Sequence, residues 1–297
     1  MSLARQYVLS LTTQGPTYPP SEVMNADGDF VVIGRLNRGH DSEALRSTGA
    51  SIDVQRAHGV QSPWGGAIVA ADSAAPPFGL NVPYKIIREF DWRELSDEDR
   101  KMVLCTLPTP LPCNNYAMTF APEQERFADM RPRRSYAFHE TPIPDLRSED
   151  GRRQIKPITL GEWVGANGTL DVTLTKDERA ADFDMSFSGL IPDSLYTMMS
   201  LRERDFDPAG PTRPGPLGVP NVLITDVEGN GRYHARLPNP FPAMRSLNRN
   251  RIVNVVLLWM SYQTSYCGAL GLFGLGGDVH AQLKLREPSF FEFVTRE

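Results

Sequence analysis

Long apolar runs are missing from this sequence of 297 residues. The longest, residues 255–260, is of strand length, well short of the ~18–20 residues that cross a bilayer, so the chain reads as soluble with no transmembrane segment. Cysteine is scarce, with three residues in all. The spacing of Cys105 and Cys113 across a proline-rich turn would let them meet as a disulfide or stay as two reduced, partly buried thiols, and Cys267 has no evident partner. Basic excess is missing too: the formal net charge is −5, which offers no overall attraction to a phosphate backbone, so nucleic acid is not an expected partner. The basic cluster Arg131, Arg133 and Arg134, followed by Arg152 and Arg153, alternates with Asp129, Asp145, Glu149 and Asp150 and reads as a solvated linker face. Residues 1–5 show no small-residue cleavage site before the strand-like stretch 6–11, so no secretory signal is expected there.

The common catalytic signatures are absent as well. There is no Gly-x-Ser-x-Gly elbow, no His-Glu-x-x-His helix and no Cys-x-x-Cys pair. The glycines of 267–278 (Gly268, Gly271, Gly274, Gly276, Gly277) precede a strand, whereas a phosphate loop must deliver its ligand to a helix N-terminus, so they read as a hairpin connection. Residues 25–29 (Asn25, Asp27, Gly28, Asp29) lack the spaced glutamate that closes a calcium loop and read as a turn. Glu89 with Asp91, and Asp182 with Asp184, are carboxylates two apart on strands, the usual pattern of a solvated face.

What the chain does contain is turn formers, with 25 prolines and 24 glycines, and period-two alternation. Leu170, Val172 and Leu174 alternate with polar residues, as do Phe183, Met185 and Phe187, and then Tyr233, Ala235 and Leu237. Residues 252–260 are apolar at nearly every position and belong at the centre of a sheet. Residues 278–286 form a last strand, with Val279, Ala281, Leu283 and Leu285 on one face and His280, Gln282, Lys284 and Arg286 on the other. Roughly seven strands in about 120 residues predict an antiparallel β-sandwich or small barrel over 168–286.

The N-terminal half is β-rich, with runs at 7–11, 30–36, 52–55, 67–71, 84–90 and 116–120, and one short helix. Ser96 caps that helix, Asp97, Glu98 and Asp99 fill its first turn, and Arg100 and Lys101 follow. The fold class is therefore mostly β, and the charged, proline-rich stretch 131–157 places a boundary between domains 1–147 and 148–297. The aromatic tail with Phe290, Phe291 and Phe293 should pack on the N-terminal half or on a second subunit, a route to a homo-oligomer.

The turns and strand rhythm of Gly168-Thr169-Leu170, Phe187-Ser188-Gly189-Leu190, Tyr196-Thr197, Pro214 to Gly218, Thr225-Asp226 and Asp278 to Leu283 resemble bacterial exported β-sandwich proteins of CHRD-like layout, over residues 158–286. The resemblance implies a periplasmic or extracellular location and a non-catalytic role; without it, a chain lacking a signal would be cytoplasmic. Where CHRD-like sequences set histidines, the central strand here ends in Trp259-Met260-Ser261-Tyr262, which weakens any metal site carried over from them.

Two functional expectations remain. The favoured one is a non-catalytic binding or structural module with no required cofactor, using Tyr262, Tyr266 and His280 to meet a small-molecule, carbohydrate or protein ligand. The other is a metal-dependent enzyme: His234 and His280, each on the polar face of a predicted strand, could converge with Asp278 on a transition metal if those strands were neighbours.

Overall fold

The fold, taken from a computed structural model, is described for residues 3–16, 19–38, 63–74, 83–108, 132–143, 151–206, 215–243, 250–265 and 278–293. It is mostly β and its strand pairs are antiparallel. The first half contributes β1 (Ala4–Leu11), β2 (Phe30–Arg35), β3 (Trp64–Val69), β4 (Ile86–Phe90) and the short helix α1 (Asp97–Lys101), and a second short helix, α2 (Leu160–Trp163), opens the second half. The second half contributes β5 (Asn167–Leu174), β6 (Ala180–Ser188), β7 (Leu195–Arg202), β8 (Gly215–Pro216), β9 (Val222–Ile224), β10 (Gly231–Pro238), β11 (Ile252–Met260) and β12 (Val279–Lys284). The runs expected at 52–55 and 116–120, and the boundary at 147/148, lie outside the described residues.

A nine-stranded sheet runs in the order β10-β6-β5-β1-β12-β11-β7-β8, with β9 also on β7, and β2-β3-β4 form a second sheet. The large sheet curls into a half-barrel. At its closing edge the Tyr233 hydroxyl of β10 donates to the carbonyl of Pro220 at 3.1 Å, beside β9. Alternation fills the inside: Leu170, Val172, Phe183, Met185, Phe187, Tyr196, Met198, Tyr233, Val255, Leu257, Trp259 and Leu283 share one buried core. β11 is buried along its whole length, as a strand between β12 and β7 should be. Its alternate residues Val256, Leu258 and Met260 join a second cluster with Met199, Leu201, Val279 and Ala281.

β12 departs from the expected alternation. Leu257 pairs with Leu283 but Leu258 pairs with Ala281, so Gln282 is an extra, bulged residue. The bulge reverses the phase: Val279 and Ala281 lie in the second cluster, while Leu283 and Leu285 point into the main core. His280 and Gln282, expected on a wet face, are 1 % and 0 % exposed.

β1 lies between β5 and β12, so a strand from the chain's start completes the sheet of its second half. Beyond β1 the chain turns to the small sheet, and residues 12–14 and 21–22 join the two. The Thr12 amide donates to the Gln282 carbonyl and the Thr13 amide to the Ile33 carbonyl, each at 2.9 Å. The Thr13 hydroxyl donates to the Val31 carbonyl at 2.7 Å and accepts from the Ile33 amide at 2.8 Å. The Gln14 side chain acts as a surrogate strand, accepting from the Arg35 amide at 2.7 Å and donating to the Arg35 carbonyl at 3.0 Å. Gly34 makes this contact possible, because a Cβ there would lie 2.0 Å from Gln14 Oε1.

The expected helix is α1, with the Ser96 hydroxyl accepting from the Asp99 amide at 3.1 Å. α2 starts with a Thr159–Glu162 capping box and sends Trp163 into the core. The aromatic tail packs on its own chain. Phe290 meets Tyr7 edge-on at 5.1 Å and Phe293 stacks on Phe241 at 5.2 Å, so both rings are buried within the chain. Phe291 stays 54 % exposed, with the Arg251 guanidinium over its ring at 4.0 Å. Phe290→Ala should therefore cost about 3–5 kcal/mol of unfolding free energy by urea titration. Phe291→Ala should cost no more than about 1 kcal/mol.

Candidate functional site

Of the residues proposed for a metal, the structure keeps Asp278 and His280 close in sequence and sets His234 apart. β6, β5 and β1 lie between β10, which carries His234, and β12. On its outer face the His234 Nδ1 is 2.8 Å from Asp184, with the side chains 59 % and 57 % exposed. Among the described residues no group of three or more His, Cys, Asp or Glu is placed to hold a metal ion. Cys105 is a free, buried thiol, pushed up to about 11 mainly by burial; Cys113, Cys267 and Tyr266 lie outside the described residues.

Asp278, itself buried, is held by the part-buried Arg133. Arg133 Nη1 and Nη2 donate to its two oxygens at 3.0 and 2.5 Å, Nη1 also reaches the Tyr262 hydroxyl at 3.3 Å, and Nη2 the Leu107 carbonyl at 3.0 Å. Burial alone would lower the Arg133 guanidinium, but the Asp278 carboxylate and the Tyr262 hydroxyl together more than offset this and raise it above the ordinary value. The side chains are 10 % and 3 % exposed, so Arg133 is no part of a solvated linker face. Bidentate pairing is what makes a buried guanidinium tolerable.

His280 packs against the rings of Phe138 and Trp259, at centroid distances of 4.4 and 5.7 Å, and those two rings are themselves 4.7 Å apart. Its Nδ1 lies 2.7 Å from the Glu22 carbonyl and its Nε2 3.1 Å from the Ser261 hydroxyl. A carbonyl only accepts, so Nδ1 carries the proton and Nε2 accepts from Ser261. Burial pushes the imidazole down to about 3, which keeps it neutral. Hydroxyl, imidazole and acceptor thus have the polarity of a nucleophile and its base. Ser261 is 2 % and His280 1 % exposed, however, and a hydroxyl out of reach of solvent is out of reach of a substrate. Tyr262, Tyr196, Trp163 and Trp259 are equally buried, so these rings belong to the core and not to a surface platform.

Beside this cluster lie two ionisable groups that sequence alternation does not reveal. Glu22 accepts the Ala281 amide at 2.7 Å through Oε2, and Lys284 donates to the Gln14 carbonyl at 3.0 Å. Burial pushes Glu22 up to about 7, with the Ala281 amide and the Lys284 charge offsetting part of it. Burial pulls Lys284 down to about 7 against the opposing charge of Glu22. Gly15 leaves the space, since a Cβ there would lie 2.3 Å from Glu22 Oε1. The legible sign was local: polar Thr12, Thr13 and Gln14 directly continue a strand and run into a glycine.

The accessible candidate lies elsewhere. Residues 152–158 form a strap that, with the turn 189–193 and Glu162, encloses an open groove of about 610 Å³. The Arg152 amide donates to the Asp193 carbonyl at 2.7 Å, and Gln154 Nε2 to the Pro192 carbonyl at 3.1 Å and the Ser194 hydroxyl at 3.0 Å. Ile158 is buried, and its carbonyl accepts from the Leu104 amide at 3.0 Å. Arg152, Arg153 and Lys156 are exposed along this wall, and Ile155 is 84 % exposed. The Glu162 carboxylate is occupied at the α2 cap, accepting from the Thr159 amide at 2.8 Å. No family model, curated protein or solved structure matches the chain.

The Glu22 shift has a measurable sign. A carboxyl raised from 4.5 to about 7 on folding binds more protons in the folded state, so its contribution to stability falls as pH rises across that window. Glu22→Gln keeps an acceptor for the Ala281 amide and removes the titration. Variant stability relative to the parent should rise between pH 4.5 and 7, by up to about 1.4 kcal/mol per pH unit, and level off above. Urea unfolding across that range measures it, and a flat difference would place the Glu22 carboxyl in a watery setting.

Proposed function

We propose that this chain is a non-catalytic binding module, of the bacterial envelope or exterior, whose ligand site is the groove between residues 152–158 and 189–193 and whose ligand is anionic. The observation that carries this reading is the gathering of Arg152, Arg153 and Lys156 on one exposed wall of a concave site, in a chain of net charge −5. The lining sets three cations, Arg152, Arg153 and Lys156, against two acids, Glu162 and Asp193, a surplus of one positive charge. The groups best suited to chemistry support the same reading: Asp278 is committed to Arg133 and His280 to Glu22 and Ser261, all away from solvent. The location rests on the CHRD-like layout of strands and turns.

The test is titration of the full chain with poly-L-glutamate. Binding should weaken as salt rises, because exposed charges lose their attraction beyond a Debye length of about 8 Å at physiological ionic strength. It should also be lost in the double variant Arg152→Ala, Lys156→Ala. Absence of binding, or equal binding by the double variant, would overturn the reading.

A further inference from the structure

Resting on the groove as the anion site, we infer that its occupant is an extended acidic peptide bearing an apolar side chain and pairing with the strap through its backbone. Three features of the strap point there. It is pinned at both ends, at Arg152 by the Asp193 carbonyl and at Ile158 by the Leu104 amide. Between the pins, the backbone N–H groups of Arg153, Gln154, Ile155 and Lys156 donate to no other described residue. Successive N–H groups of an extended chain point to opposite sides, so alternate ones of these can face an added strand, whose main chain supplies affinity while its alternate side chains supply selectivity.

The second feature is charge. Arg152, Arg153 and Lys156 flank those donors, and carboxylates spaced along a peptide can meet several of them at once. The third is Ile155, at 84 % the most exposed large hydrophobic among the described residues. It stands beside exposed Pro157 and Pro192 on the groove wall. A compact anion would satisfy the cations and leave both Ile155 and the row of amides unused. An acidic peptide with one apolar residue uses all three features together.

The experiment is calorimetric titration of the full chain with a short blocked peptide that alternates aspartate and leucine, alongside its (E)-alkene isostere, which lacks the backbone carbonyls that the strap N–H groups would meet, and citrate and poly-L-glutamate. The parent peptide should bind. Loss of the carbonyls in the isostere, and separately Ile155→Ser in the protein, should each weaken binding about tenfold or more. Ile155 is exposed, so the variant should keep the parent's far-UV circular dichroism, and a changed spectrum is answered by the isostere, which leaves the protein untouched. If the parent peptide does not bind, or if the isostere or citrate binds as tightly as it does, while poly-L-glutamate still binds, the peptide inference fails and the anionic groove stands. If poly-L-glutamate does not bind either, both fall.

Discussion

The structure depends on a buried polar joint. Where the chain leaves β1 it must satisfy β12 of the large sheet and β2 of the small one at once, with no further strand to supply hydrogen bonds. Thr12, Thr13, Gln14, Ser21 and Glu22 are at most 5 % exposed. Each buried polar group left without a partner would cost about 1–3 kcal/mol, so a joint made of them holds only if nearly every donor and acceptor is used. The side chains do what a missing strand would. Gln14 pairs both backbone groups of Arg35, and Asn254 does the same for Leu285, at 2.8 and 3.0 Å.

The joint also explains why Glu22, His280 and Lys284 gather in the buried interior. The bulge at Gln282 turns that side chain inward, where it accepts from the Tyr196 hydroxyl at 2.8 Å and donates to the Trp163 carbonyl at 3.0 Å. The same turn presents His280 and Lys284 to the loop carrying Gln14 and Glu22, and each finds a backbone carbonyl there. Glu22, His280 and Lys284 are therefore parts of one packed seam, and their shifted protonation follows from dry surroundings. Shifted groups often mark active sites, but structural networks shift them too. Burial separates the two cases here. The groove at 152–158 is lined by exposed cations, as suits a surface that meets its ligand from solvent.

Alternation was legible wherever a strand has one wet face, as in β5, β6 and β10, and the wholly apolar run of β11 correctly announced a central strand. Helix α1 was legible because capping is local. The phase of β12 was not, because one inserted residue exchanges the two faces and leaves no mark in the pattern of residue types. The seat of β1 between β5 and β12 was hidden for a different reason: pairing across more than half the chain is set by packing, not by local preference. The groove was illegible because its two walls come from separate stretches, and the basic cluster around Arg133 misled because one member is buried against Asp278 while Arg152 and Arg153 face solvent.

Native-state hydrogen exchange, read residue by residue, tests most directly whether the joint makes the two sheets one cooperative unit. The amides of Ile33 in the small sheet, Thr13 in the joint and Leu283 in the large sheet should open with one common free energy, and Thr13→Val should lower all three by the same amount. If Ile33 and its sheet open at much lower free energy than Leu283, or if Thr13→Val loosens the small sheet alone, the sheets are separable and the joint does not hold the fold together.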